Sequence, residues 1–111
     1  MPHIVIEHDK KTGESLDLSS LVKELPHTLA AQETVSLEAI KTRTIEVENV
    51  LIADGSHNQM IHIQVLLLKG RSEELKLEMA NALYNCTLNA LKDIQCSVTV
   101  NVGELGVYKK A

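Results

Sequence analysis

A chain of 111 residues with 44% hydrophobic and 23% charged residues has the composition of one globular domain, and at that size its poor surface-to-volume ratio favours association with copies of itself. A net charge of −4 and a pI of about 5.7, with no basic run beyond two residues, exclude a phosphate-tracking nucleic-acid surface; two tyrosines without Phe or Trp leave no platform for stacking bases. The apolar run "IQVLLL" is too short to span a bilayer, and the opening "PHIVIEHDKK" has neither the basic start nor the apolar length of a leader, so the expectation is a cytoplasmic protein with no membrane or nucleic-acid partner.

Ile4 to Glu7 read as a buried strand, with Pro2 just ahead of it. "DKKTGES" reads as a polar turn around Gly13. Leu18, Leu21, Val22, Leu25 and Leu29 then recur at helical spacing. Pro26 interrupts them; a proline inside a helix costs about 3 kcal/mol through a lost hydrogen bond and a clash. A kink, or a helix in two pieces, is expected there. "AIKTRTIEVEN" predicts a second strand, and Asp54-Gly55 in "VLIADGSHN" a turn between extended segments. In "MIHIQVLLLK", Ile61, Ile63, Val65 and Leu67 line one face of a third strand, while Met60, Leu66 and Leu68 add apolar bulk to the other. Ser72 caps a second helix with Glu73 and Glu74 in its first turn and a stripe of Leu75, Met79, Leu83, Cys86 and Ala90. "CSVTVNV" alternates strictly, with Val98, Val100 and Val102 on one face, and "GELGVYKKA" is a short polar tail.

The order is strand, helix, strand, twice over, in one domain covering 1–111 with βαβ units at roughly 2–47 and 60–103. Two such right-handed units side by side predict an α+β fold: a four-stranded sheet with both helices on one face. "HIVI" and "HIQV" open corresponding strands of the two halves. With strands apolar on both sides, the uncovered sheet face calls for a second copy of the chain.

Few side chains offer chemistry. Removal of Met1 would leave Pro2 with a secondary amine at the head of a buried strand; an α-amino group has an unperturbed pKa of about 8, which apolar surroundings and cations lower, giving a usable general base. A proline that merely opens a strand is the plainer alternative. Arg71 follows Gly70 at a strand-to-helix junction, where a guanidinium can grip a carboxylate or pair with Glu74 as a surface ion pair of little value. Lys41 and Arg43 lie two apart on one strand and share a face; they can hold an anion or pair with glutamates. His3, His8, His27, His57 and His62 show no metal-ligand spacing. Cys86 and Cys96 form no CxxC pair and read as buried, reduced thiols.

"MPHIVIEHD", "VENVLIADG" and "IHIQVLLLKGRS" together resemble the 5-carboxymethyl-2-hydroxymuconate delta-isomerases of the tautomerase superfamily, in order and over nearly the whole chain. The resemblance implies a homotrimer of two-βαβ subunits with the sheets facing inward, and the first and third strands side by side and antiparallel, so that Pro2 lies near Lys69 to Arg71. It further implies a cofactor-independent isomerase that converts a 2-hydroxymuconate-type enol acid to its 2-oxo isomer. Pro2 would act as catalytic base, and Arg71, Lys41 and Arg43 would bind the carboxylates of a small-molecule substrate from aromatic-compound breakdown. The chain departs from the family pattern at Lys41, where the family tends to place an arginine, at Pro26, and in a tail that is short after Val102. Two alternatives stay open: a related tautomerase, decarboxylase or dehalogenase acting on another small acid, and a non-catalytic trimeric binding protein, which a retained Met1 and Lys41 in place of an arginine would both favour.

Overall fold

In the computed structural model, which describes residues 2–32 and 34–111, the chain builds a four-stranded sheet in the order β2-β1-β3-β4. The strands are β1 (His3–Asp9), β2 (Lys41–Val47), β3 (Met60–Leu67) and β4 (Ser97–Glu104). The helices are α1 (Lys10–Ser15), α2 (Leu18–Ala30) and α3 (Glu73–Leu91), with a short 3₁₀ turn at Leu37–Ala39. β1 pairs parallel with β2 and β3 with β4, while the central pair β1–β3 is antiparallel. This is the expected mixed sheet of two βαβ units.

Alternation along the two central strands decides which face is buried. Ile4 and Ile6 of β1 sit beside Val65 and Ile63 of β3, and all four are fully buried. α2 lays Leu21, Leu25 and Leu29 on this ladder, and α3 adds Met79, Leu83 and Leu91 in the same core cluster. Both long helices therefore cover one face. Val98, Val100 and Val102 of β4 pack, half-buried, against its rim. No helix among the described residues is long and apolar enough to cross a membrane.

Three local readings differ from the sequence expectation. "KKTGES" is a helical turn rather than a loop. Asp9 caps it by accepting from the Thr12 N–H at 3.0 Å, and Gly13 lets the turn approach β1, since a Cβ there would lie 2.7 Å from the His8 ring. α2 runs through Pro26 as one element; the helical break falls earlier, at Leu16 and Asp17. The ~3 kcal/mol cost of the proline is offset by three neighbouring leucines that are essentially fully buried, each contributing about 1.5–3 kcal/mol.

The third difference is the uncovered sheet face, which is not apolar throughout. Strand register puts His62, Gln64, Thr99 and Asn101 there beside Val5, Ile45 and Leu66. The polar members bond to one another: His62 Nδ1 to Thr99 Oγ1 at 2.6 Å, and Asn101 Nδ2 donating to Gln64 Oε1 at 3.2 Å. The strict alternation of β4 turns its valines toward the helices and leaves only polar residues and Gly103 outward.

Candidate active site

Parallel pairing of β1 with β2 and antiparallel pairing with β3 bring three chain segments to one end of the sheet: the starts of β1 and β2 and the end of β3. Pro2 is buried there. Its carbonyl accepts from the Lys41 N–H at 3.0 Å, and it lies one step beyond the His3–Leu66 pair. Leu105 donates its N–H to the Leu67 carbonyl at 2.7 Å, drawing the tail after β4 to the same end. Met1, on which the chemical state of the Pro2 nitrogen depends, lies outside the described residues.

The cations on β2 reach this end as their spacing predicts. His3 pairs with Lys41 and Val5 with Arg43, so both basic side chains share the face of His3. Arg43 Nη1 stands 3.1 Å from His3 Nδ1, and Tyr108 Oη 2.8 Å from His3 Nε2. The His3 and Tyr108 rings meet edge-on, 5.6 Å apart at 80°. Burial, then the charges of Arg43 and Lys41, push the His3 imidazole below its ordinary pKa. Among the described residues neither Lys41 nor Arg43 forms an ion pair with a carboxylate.

Arg71 stands at the same end, but its guanidinium is already engaged. Gly70, at φ +121°, makes the bend that only glycine adopts freely, and Ser72 caps α3 by accepting from the Leu75 N–H at 3.1 Å. Between them Arg71 donates through Nε to Thr34 Oγ1 at 3.0 Å, through Nη2 to the Thr34 carbonyl at 2.8 Å, and through Nη1 to the Leu68 carbonyl at 3.3 Å. It staples the loop after α2 to the end of β3. Among the described residues it bonds to neither Glu74 nor Pro2. The topology thus gathers Pro2, Lys41, Arg43 and Arg71 at one end, with Arg43 held by His3 and Arg71 by Thr34 and the Leu68 carbonyl.

His3 and Tyr108 are the members that residue-by-residue reading passed over. His3 was visible as the polar first residue of an apolar strand, immediately after Pro2. Tyr108 had no signal, since only folding brings the tail over β1.

A cleft of about 710 Å³ opens at the opposite end of the sheet, lined by Lys11, Ile52, His57, Gln59, Cys96 and neighbouring polar residues. Its chemistry is weak. Burial and the Asp9 carboxylate raise the Cys96 thiol above its usual range, and no hydrogen bond among the described residues couples it to His57. Cys86 is likewise raised, chiefly by burial, so both free thiols stay protonated. Among the described residues no group of three His, Cys, Asp or Glu could hold a metal ion. The Pro2 end, where a strand terminus and several cations come together, is the better candidate.

The chain matches the family described as 5-carboxymethyl-2-hydroxymuconate isomerase over residues 2–103. It is 31% identical over 85 residues to the 5-carboxymethyl-2-hydroxymuconate Delta-isomerase of Escherichia coli, spanning 76% of this chain and 68% of that protein. Its fold is similar to a crystal structure of a 5-carboxymethyl-2-hydroxymuconate isomerase from Deinococcus radiodurans R1, with a TM-score of 0.84 at 23% identity over 98% of this chain and 88% of that one. A fused 4-OT symmetric trimer is similar with a TM-score of 0.77 at 13% identity, over 93% and 86% of the two chains.

Proposed function

The chain belongs to the 5-carboxymethyl-2-hydroxymuconate isomerase family, a family of enzymes, and from that premise we propose that it isomerises a 2-hydroxymuconate-type enol acid to its 2-oxo form with Pro2 as general base. The observation that carries this reading is a buried proline at the second position, whose carbonyl accepts the Lys41 backbone N–H and which is followed directly by His3 of the Arg43–His3 pair.

The chemistry needs few parts. With Met1 removed, the Pro2 nitrogen would be a secondary amine on a buried residue, and burial disfavours the charged form of such an amine, which suits it to act as a base. It takes the 2-hydroxyl proton; the oxygen's electron pair becomes the carbonyl bond, the conjugated double bonds shift, and a proton returns to a remote carbon. Atoms and electrons balance without an oxidant or a cofactor. Arg43 and Lys41 hold substrate carboxylates and stabilise charge on the developing oxo-acid. Arg71 keeps unspent N–H groups and forms the edge of the same site.

A homotrimer belongs to this reading. The similarity to a symmetric trimer supports it, and so does a mixed polar and apolar sheet face suited to a contact between subunits. A cytoplasmic location belongs to it as well. The engaged guanidinium of Arg71, with Lys41 where the family tends to carry an arginine, favours a second reading: the same proton shuttle on another small acid with fewer carboxylates.

The test is direct. Intact mass should show the chain without Met1, and ultraviolet absorbance should follow ketonisation of 5-carboxymethyl-2-hydroxymuconate. Pro2→Ala, which keeps an amine but loses the rigid ring, should lower kcat about 10²-fold or more. An unchanged rate in that variant, or a chain that turns substrate over with Met1 attached, rules the base out.

A further inference from the structure

We propose that His3 is a positioning residue that fixes the Arg43 guanidinium for carboxylate binding, and that Tyr108 from the tail locks the His3 ring in the form this requires. The proposal rests on the reading of Arg43 as a carboxylate ligand at the Pro2 end.

The hydrogen-bond geometry dictates the protonation form. Arginine carries only donors, so the 3.1 Å contact between Arg43 Nη1 and His3 Nδ1 requires Nδ1 to accept. A neutral imidazole that accepts at Nδ1 carries its proton at Nε2. That N–H then donates to Tyr108 Oη at 2.8 Å. Tyr108 acts as the acceptor that selects this tautomer, and its edge-on ring limits rotation of the imidazole. One guanidinium edge is thus tied to the strand that begins at Pro2, leaving the rest of the fork free for an anion.

The same arrangement explains why a charged side chain on the exposed face of an edge strand is held in place. An arginine anchored by hydrogen bonds loses less rotamer freedom on gripping a carboxylate than one waving in solvent. A doubly protonated His3 could not accept from Arg43, and it would add a third positive charge beside Arg43 and Lys41. The imidazole is therefore useful here only when neutral, as its burial and its cationic neighbours dispose it to be.

The experiment uses the full chain and two independent readouts. Long-range ¹H–¹⁵N spectra of the histidine rings report the His3 tautomer directly, with His3→Gln identifying the signal. The expected wild-type result is the Nε2–H form, with the preference relaxed in Arg43→Ala and in Tyr108→Phe. Binding of adipate, a non-reacting dicarboxylate, is followed by chemical-shift titration. His3→Leu should weaken adipate about tenfold, the loss of one charge-assisted hydrogen bond, while His3→Asn, whose Oδ1 stands in for Nδ1, should recover most of that loss. An Nδ1–H tautomer in the wild type overturns the proposal. So does wild-type protein that fails to bind adipate, or a His3→Leu variant that binds it as tightly as the wild type. None of these results depends on turnover, so a failure of Pro2 as base, seen as an active Pro2→Ala, is distinguishable from a failure of His3.

Discussion

Asp9 joins three parts of the chain with one carboxylate. Oδ2 accepts from the Thr12 N–H, and Oδ1 accepts from the Thr12 hydroxyl and, at 2.8 Å, from the Met60 N–H that begins β3. Burial pushes this carboxyl up, but the bonds from Thr12 and Met60 outweigh it and hold its pKa below the ordinary value. Asp9→Ala should cost about 3 kcal/mol in urea unfolding, since it leaves buried donors unmatched. His3 adds a second titration. Arg43 and Lys41 on β2 and Tyr108 on the tail face it, and its pKa is lowered from 6.5. As pH falls, the unfolded chain takes up that proton first. The contribution of His3 is therefore complete above about 6.5 and fades below it, toward the lower folded value. The Asp9 contribution is complete above about 3.8 and is lost as pH falls through its folded value. A stability-versus-pH curve should show both declines, the upper one absent in His3→Asn and the lower one in Asp9→Asn. Of these features, the Asp9 cap was hidden because "DKKTGES" suggested a polar turn around Gly13. Its bond to Met60 was hidden too, because that partner is distant in sequence.

At the scale of elements, the long strands and both long helices follow from periodicity alone, because each buries an apolar stripe that its own spacing creates. β3 shows this most plainly, with Ile61, Ile63, Val65 and Leu67 essentially fully buried. The failures come where a local signal competes with packing. Gly13 suggested a loop, yet it is the residue that lets α1 lie against His8. Pro26 suggested a broken helix, yet Leu25 and Leu29 hold α2 to the core on either side of it. Pro26→Ala restores an amide donor to α2 and should raise the melting temperature by about 4–8 °C for each kcal/mol recovered, read by thermal unfolding. Arg71 belongs at this scale too, since it fastens the loop after α2 to the end of β3. Arg71→Ala should lower stability by about 1–2 kcal/mol and affect KM less than Arg43→Ala does. The reverse order of KM effects would show that Arg71 leaves Thr34 to bind substrate.

For the whole molecule, the repeated βαβ order predicts one sheet with helices on a single face, but not which strands meet. The antiparallel β1–β3 pairing came from family resemblance, because the 12 residues between β2 and β3, Glu48 to Gln59, carry no signal that selects it. That pairing makes the site, for it alone brings the head of β1 to the end of β3. The outer sheet face is subtler than its strands suggest: apolar Val5, Ile45 and Leu66 lie among bonded His62, Gln64, Thr99 and Asn101. A face of this kind fits a subunit contact with specific polar partners better than a purely greasy seal. Sedimentation equilibrium should return a species of three 12.2 kDa chains, and a monomer at micromolar concentration would contradict the trimer.

The central claim concerns one nitrogen. Titration of ¹⁵N-labelled Pro2 in the chain lacking Met1 should show a single midpoint below about 8, the ordinary range of an α-amino group, coinciding with the acidic limb of kcat/KM for ketonisation. A Pro2 nitrogen that stays protonated well above that range, or one whose midpoint is unrelated to the rate profile, would contradict the account.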